Sequence, residues 1–190
     1  IIASGDMDTL QLIDGKKVQV FTLKKGLNDT VLYDEKAVKE RFGFGPELIP
    51  DYKGLRGDPS DNIPGIAGIG EKTATILITK FGGIKDIYKA LKKNVGAFKE
   101  AGLTDRIIKL LEEGEEEAEF SKTLAEIIKD VKIKFSFPEK HWQDGLDVKR
   151  AEKAMQKLEF KSLITRLRNV LSEAGREIEE EEKKEIDVSP

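Results

Sequence analysis

The sequence contains no cysteine, so disulfides, thiolate metal ligands and a cysteine nucleophile are all excluded, and a reducing, cytoplasmic setting is the expectation. No apolar run approaches the ~20 residues of a membrane-crossing helix, and the amino terminus has no basic flank followed by an apolar core. No membrane partner is therefore expected. Histidine occurs once, as His141 beside Trp142, in no catalytic pattern, and reads as a surface or packing residue. A surplus of positive charge is also lacking: the formal net charge is −3, which taken alone speaks against nucleic-acid binding.

What is present is enough for one core. The 190 residues, 38% of them hydrophobic, suit a single domain with a small satellite, and a monomer is expected. Charge is unevenly spread: between Gly65 and Lys99 seven lysines face only Glu71 and Asp86, a local basic footprint inside an acidic chain. Ile1-Ile2-Ala3-Ser4 reads as a strand already under way, so the chain is expected to be a fragment lacking an amino-terminal half.

The first third looks α/β. Strands are expected at the start, at residues 18–22 and at residues 30–33, followed by a helix over residues 35–42 capped by Asp34 and stopped by Gly43. From Pro46 onward the pattern is helical, apart from one expected strand at residues 131–137. Residues 103–113 and 116–129 space apolar residues three and four apart, at Ile107, Leu110 and Leu111 and at Phe120, Leu124, Ile127 and Ile128, as core-facing stripes do. Residues 147–159 and 160–174 form a further helical pair with Ala151, Ala154, Leu158, Leu163, Ile164 and Leu167 as apolar positions. Beyond Gly175 the chain becomes acidic and loses periodicity, as a frayed end or linker does.

Two acidic pairs stand out. Asp6 and Asp8 follow directly on the first strand, where side chains at strand ends project into an open crevice, and hard divalent cations favour such carboxylates. The bland alternative makes Asp6 a turn residue and Asp8 the cap of a helix over residues 9–13. Asp58 and Asp61, three apart, would share one face of a helical turn, and like charges so close need a cation or a cap to offset them. Here the alternative is that Asp58 caps the turn, with Pro59 at its first position, while Asp61 faces water.

Just beyond, Ile63-Pro64-Gly65 and Gly68-Ile69-Gly70 lead into Glu71-Lys72-Thr73-Ala74, which reads as a helix-hairpin-helix. Glycines there permit positive φ and leave N–H groups unobstructed, so the turn and helix start can hold a phosphate, with Lys72 reinforcing it. Such contacts bind without regard to sequence and weaken with salt. An ordinary helix connection is the alternative. Phe81-Gly82-Gly83-Ile84 reads chiefly as a helix stop.

Taken together, Ser4-Gly5-Asp6-x-Asp8-x-x-Gln11-Leu12 and the stretch from Asp51-Tyr52-Lys53 through Gly57-Asp58-x-Ser60-Asp61-Asn62-Ile63-Pro64-Gly65 to Gly68-Ile69-Gly70-Glu71-Lys72-Thr73-Ala74 resemble the 5′-nuclease family found at the front of bacterial DNA polymerase I. Residues 112–124 and Leu158-Glu159-Phe160-Lys161-Ser162-Leu163 continue the resemblance, which covers roughly residues 1–170. It implies the edge of a PIN-like or Rossmann-like nuclease sheet over residues 1–56, a helix-hairpin-helix region over 57–136, closing helices over 137–175 and an acidic tail or linker over 176–190. It further implies a two-metal 5′-3′ exonuclease and flap endonuclease acting on branched, flapped or nicked double-stranded DNA with Mg²⁺ or Mn²⁺, a polymerase domain following in the same chain.

By motif position Asp6 would bridge two metals, Asp8, Asp58 and Asp61 would serve the second, and Gly65, Gly68, Ile69, Gly70, Lys72 and Thr73 would meet DNA. A K⁺ ion would sit at the hairpin, with Ser60 as a ligand. The family's upstream carboxylates and arch residues are absent from this sequence, so the fragment is expected to be inactive alone. Ala67 stands where relatives often carry proline, which loosens the turn. The competing reading is a non-catalytic helix-hairpin-helix module whose acids are structural.

Overall fold

The computed structural model describes residues 1–23 and 29–175, which fall into two compact units, the first ending at Val131. The acidic segment after Gly175 lies outside the described residues.

The first unit opens with a three-stranded sheet in the order β1 (Ile2–Ala3), β2 (Val20–Leu23), β3 (Thr30–Tyr33). β1 runs parallel to β2, with Ile2 opposite Val20, and β2 runs antiparallel to β3, with Val20 opposite Tyr33. Alternation along β2 buries Val20 and Thr22 and leaves Phe21 and Leu23 exposed. The second strand thus begins two residues later than the sequence pattern suggested, because Val18 is spent on a bridge to Asp14 that closes the preceding turn.

Between β1 and β2 lies a 3-10 helix, Met7–Leu12, rather than an α-helix over residues 9–13. Its cap is Asp6, whose side chain accepts from the Asp8 N–H at 2.9 Å, so Asp8 falls inside the first turn instead of capping it. Gln11 on this helix is buried and spans to the far end of the unit: its amide donates to Ala125 O at 2.8 Å and accepts from Ile127 N at 3.1 Å.

Helix α1 (Glu35–Phe42) has the expected limits, with Asp34 accepting from Ala37 N–H at 2.8 Å and Gly43 closing it at φ 84°. A 3-10 turn at Pro46–Leu48 leads into α2 (Ile49–Arg56), followed by α3 (Glu71–Phe81), α4 (Ile84–Lys93), α5 (Gly96–Glu100), α6 (Asp105–Glu113) and α7 (Glu115–Ala125). Gly82 and Gly83 separate α3 from α4, as a helix stop should. Fully buried Leu55, Leu77, Ile84, Ile87, Phe98 and Leu111 form the centre of the core, each worth roughly 1.5–3 kcal/mol of burial.

Helix α7 departs from expectation. It ends at Ala125, and its buried residues are Ala118, Ser121 and Ala125, while Phe120, Leu124 and Ile128 are 56%, 52% and 74% exposed. Closeness is the reason: a Cβ on Gly54 of α2 would stand 2.8 Å from Ala118 O, so only small side chains fit between the two helices. A short buried network locks the same region. The Asp51 carboxylate, 4% exposed, accepts from Ile84 N–H at 2.7 Å and from Lys122 Nζ at 2.8 Å, tying α2 to the start of α4 and to α7.

The expected strand at residues 131–137, which runs from the last residue of the first unit into the second, is absent. Val131, Ile133, Phe135 and Phe137 alternate with polar residues as a strand does, but no neighbouring strand among the described residues completes a ladder, and all four are at least 61% exposed. A short turn of helix, α8 (Trp142–Gly145), follows exposed His141. Helices α9 (Val148–Lys157) and α10 (Lys161–Glu173) form the expected pair, with Asp147 as the cap of α9 and a two-pronged Glu152–Arg168 ion pair at 2.6 and 3.0 Å between them. Their apolar positions are mostly exposed or half-buried, Leu171 excepted.

Asp51→Ala should lower stability by about 3 kcal/mol, because it strands the Lys122 charge and the Ile84 N–H together. Urea unfolding measures this, and a loss within the ~0.5 kcal/mol of ordinary surface changes would show the network to be dispensable.

Candidate metal centre

Chain geometry brings acids from two distant segments to one point. On one side, Ser4 Oγ accepts from Asp6 N–H at 3.1 Å and Asp6 caps the 3-10 helix, which presents Asp8 from its first turn. On the other, α2 ends at Gly57, and residues 58–63 form a turn closed by reciprocal bonds of 2.9 Å between Asp58 and Ile63. Two glycines pinch this loop at its base. A Cβ on Gly65 would lie 2.1 Å from Gly57 N, and one on Gly57 2.5 Å from Pro64 O.

The turn aims two carboxylates outward. Asp58 Oδ1 accepts from the Ser60 N–H at 3.0 Å and the Ser60 hydroxyl at 2.6 Å, leaving Oδ2 toward the cleft, and Asp61 follows three residues on. One oxygen each from Asp8, Asp58 and Asp61 lie within 4.8 Å of one another. Asp6 is not in this group: it lines the same cleft of about 360 Å³, but its carboxylate serves the Asp8 N–H.

Lys53 stands among the three acids, a placement that the sequence reading did not assign. Its Nζ donates to Asp8 Oδ1 and lies 2.5 Å from Asp58 Oδ2 and 3.8 Å from Asp61 Oδ2. The ammonium is 12% exposed, Asp8 17% and Asp58 14%, whereas Asp61 at 51% opens the group to solvent. The signal existed: three like charges in one place require a cation, and Lys53 lies in the same stretch, on the helix that delivers Asp58.

Basic side chains also line the cleft. Arg56 Nη1 donates to the Tyr52 hydroxyl at 3.2 Å, with its guanidinium 5.3 Å from the Tyr52 ring centre and 3.8 Å from Glu71. Arg41 bonds the Tyr33 hydroxyl and lies 5.1 Å over Phe42. Arg41, Phe42 and Tyr52 also line a second depression reaching Lys72 and Thr75, so the carboxylates and the start of α3 are joined by one basic, aromatic strip.

Residues of the glycine turn divide into two sets. Gly65 is buried, with its N–H on Ser121 Oγ at 3.0 Å, and Ile69 is 2% exposed, with its N–H on Ile66 O at 2.9 Å, so neither N–H is available to a ligand. Gly68, at φ 92°, and Gly70 are exposed, and α3 starts without a side-chain cap. Lys72 is exposed and Thr73 half-buried beside them, and all seven lysines of the basic segment face solvent.

Oxygen-only donors at this spacing suit a hard divalent cation. The chain belongs to the 5'-3' exonuclease family, whose C-terminal SAM-fold region matches residues 44–154. Among individual relatives it is similar to DNA polymerase I of Caldicellulosiruptor bescii, 38% identical over 172 residues, covering 88% of this chain and 19% of that protein. DNA polymerase I of Bacillus caldotenax is 36% identical over 172 residues, with 90% and 18% covered. The chain thus spans about a fifth of the length of these relatives. In structure it is similar to the 5'-exonuclease of T5 bound to divalent zinc ions, at a TM-score of 0.51 and 25% identity, over 65% of this chain and 41% of that one.

Burial pushes the Asp58 carboxyl pKa up, but hydrogen bonds from Lys53 and Ser60 and the Lys53 charge outweigh it and hold the group at about 2. The folded value therefore lies below the unfolded ~3.9, so the stability it contributes is complete above about pH 4 and lost as pH falls toward about 2. Carbon-13 titration of the metal-free protein should place the Asp58 midpoint near 2, and Ser60→Ala should raise it. A wild-type midpoint at the ordinary carboxylate value would contradict the hydrogen-bonded geometry.

Proposed function

We propose that this chain is the part of a structure-specific 5′-3′ exonuclease and flap endonuclease that carries one divalent-metal site and the surface gripping duplex DNA. The observation that carries the reading is the meeting of Asp8 with Asp58 and Asp61 across some fifty residues of chain, within 4.8 Å. When bound, a divalent ion there would supply a Lewis acid for phosphodiester hydrolysis, Mg²⁺ or Mn²⁺ fitting the donor set. Asp8, Asp58 and Asp61 would hold it, while Asp6, whose Oδ1 accepts the Asp8 N–H, would have its other oxygen to offer. The three grouped carboxylates converge on one point, so a second ion needs ligands beyond these, and the chain alone should cleave flapped DNA negligibly.

In this reading residues 57–136 form the helix-hairpin-helix region and residues 137–175 the closing helices, with a polymerase domain in the complete protein. The DNA backbone runs along the strip from Arg56 and Arg41 to the open start of α3, where Gly68, Gly70, Lys72 and Thr73 present free donors or charge. Gly65 and Ile69 support the turn from within instead of touching phosphate. The Ser60 hydroxyl donates to Asp58 and keeps its oxygen lone pairs, which with backbone carbonyls would hold a K⁺ ion at the turn.

One observation favours the non-catalytic alternative: Lys53 already offsets part of the acids' charge, as a purely structural cluster would require. Calorimetry separates the two. The wild-type chain should bind one Mn²⁺ ion and Asp58→Asn with Asp61→Asn none, whereas equally negligible heats would favour the binding module. For the DNA surface, Lys72→Ala should weaken duplex binding at every sequence alike and reduce the slope of log affinity against log salt by about 1. A loss confined to particular sequences would refute backbone recognition.

A further inference from the structure

Lys53 is the one contact in the cleft that the metal reading does not use. Its ammonium pairs closely with carboxylate oxygens of Asp8 and Asp58 and stands 3.8 Å from an Asp61 oxygen. Those oxygens lie within 4.8 Å of one another, a space that a single cation fills. A divalent ion bound to them would come to roughly 2.0–2.6 Å from each oxygen, a place whose Asp8 and Asp58 side the lysine already holds. Two cations cannot share it, since they would stand in mutual repulsion on the same lone pairs.

We propose that Lys53 is a built-in counter-cation of this site, which a divalent ion must expel in order to bind. The inference rests on the metal-site reading above and adds to it how the site behaves when no metal is bound. Without the lysine, Asp8 and Asp58, both largely buried, would face each other uncompensated, and the cluster would splay or take up protons. With it, the acids stay gathered in metal-binding geometry, at the cost of affinity for the ion.

Lysine suits the task better than arginine. Its single charge sits on a flexible four-carbon stem, whereas the planar guanidinium would bind two oxygens at once and leave reluctantly. The stem rises from α2, whose position is fixed by buried Tyr52, Gly54 and Leu55, so only the side chain has to move. The cleft beside it has about 360 Å³ of open volume and is already lined by Arg41 and Arg56. An ammonium released there joins two guanidinium groups, so metal entry delivers an added positive charge to the strip proposed for the DNA backbone.

Two measurements test the exchange. Mn²⁺ titration by calorimetry and by electron paramagnetic resonance should show about tenfold or more tighter binding by Lys53→Met than by wild type, while Lys53→Arg should bind no better than wild type. Separately, amine acylation of the wild-type chain, read by mass spectrometry, should show Lys53 labelling rising several-fold at saturating Mn²⁺, with Lys72 and Lys92 unchanged.

Equal Mn²⁺ affinity in wild type and Lys53→Met would overturn the exchange and leave the metal site standing. Constant Lys53 labelling while Mn²⁺ binds would do the same, and this measurement decides the matter if Lys53→Met does not fold. Binding of Mn²⁺ by neither protein would remove the metal reading and the exchange together.

Discussion

Helix α2 lies so close to α7 that Gly54 has room for no side chain: an added Cβ would meet Ile84 Cδ1 at 2.7 Å and Ala118 O at 2.8 Å. Much else in the first unit follows from that approach. Small residues must line α7, Lys122 is carried to Asp51, and the start of α4 is pinned by the same carboxylate. One residue before Gly54, about 100° round the helix, Lys53 is turned toward the cleft, and one turn after it Gly57 releases the chain into the acidic loop. The site inherits its precision from a helix that cannot shift.

Two aspartate–lysine arrangements on α2 show how burial decides the character of an ion pair. Asp51 is 4% exposed, and its Oδ1 accepts from both a backbone N–H and Lys122, so the pair is permanent architecture. The cluster around Lys53 is held by a cation of the same kind, yet Asp61 is half exposed and a cleft adjoins the ammonium. One pair closes a seam and the other occupies a place. Neither the residue types nor their spacing distinguishes the two; only depth and access do.

Local signals were legible in the sequence. The Asp34 cap and Gly43 stop gave α1 its limits, and the glycines at 82 and 83 separated α3 from α4, because both depend on residues adjacent in the chain. Readings that depended on partners went astray. Residues 131–137 alternate like a strand but have no neighbour to pair with among the described residues, and the Phe120–Leu124–Ile128 stripe has helical period but lies away from α2, where tight approach selected alanine and serine. At the site, the nearness of Asp8 to Asp58 and Asp61 followed from the combined motif. The diversion of Asp6 into a cap, the burial of Ile69 and the insertion of Lys53 are consequences of three-dimensional placement that spacing does not encode.

The pinch between Gly57 and Gly65 joins two loops that would otherwise be independent. On one side hangs the turn bearing Asp58 and Asp61, on the other the approach to Gly68 and Gly70, and the shared stem is anchored to α7 through Ser121. With no room for a side chain at the stem, neither glycine can be replaced without forcing the two strands of chain apart. A substitution at either one therefore disturbs the acidic turn and the glycine turn together.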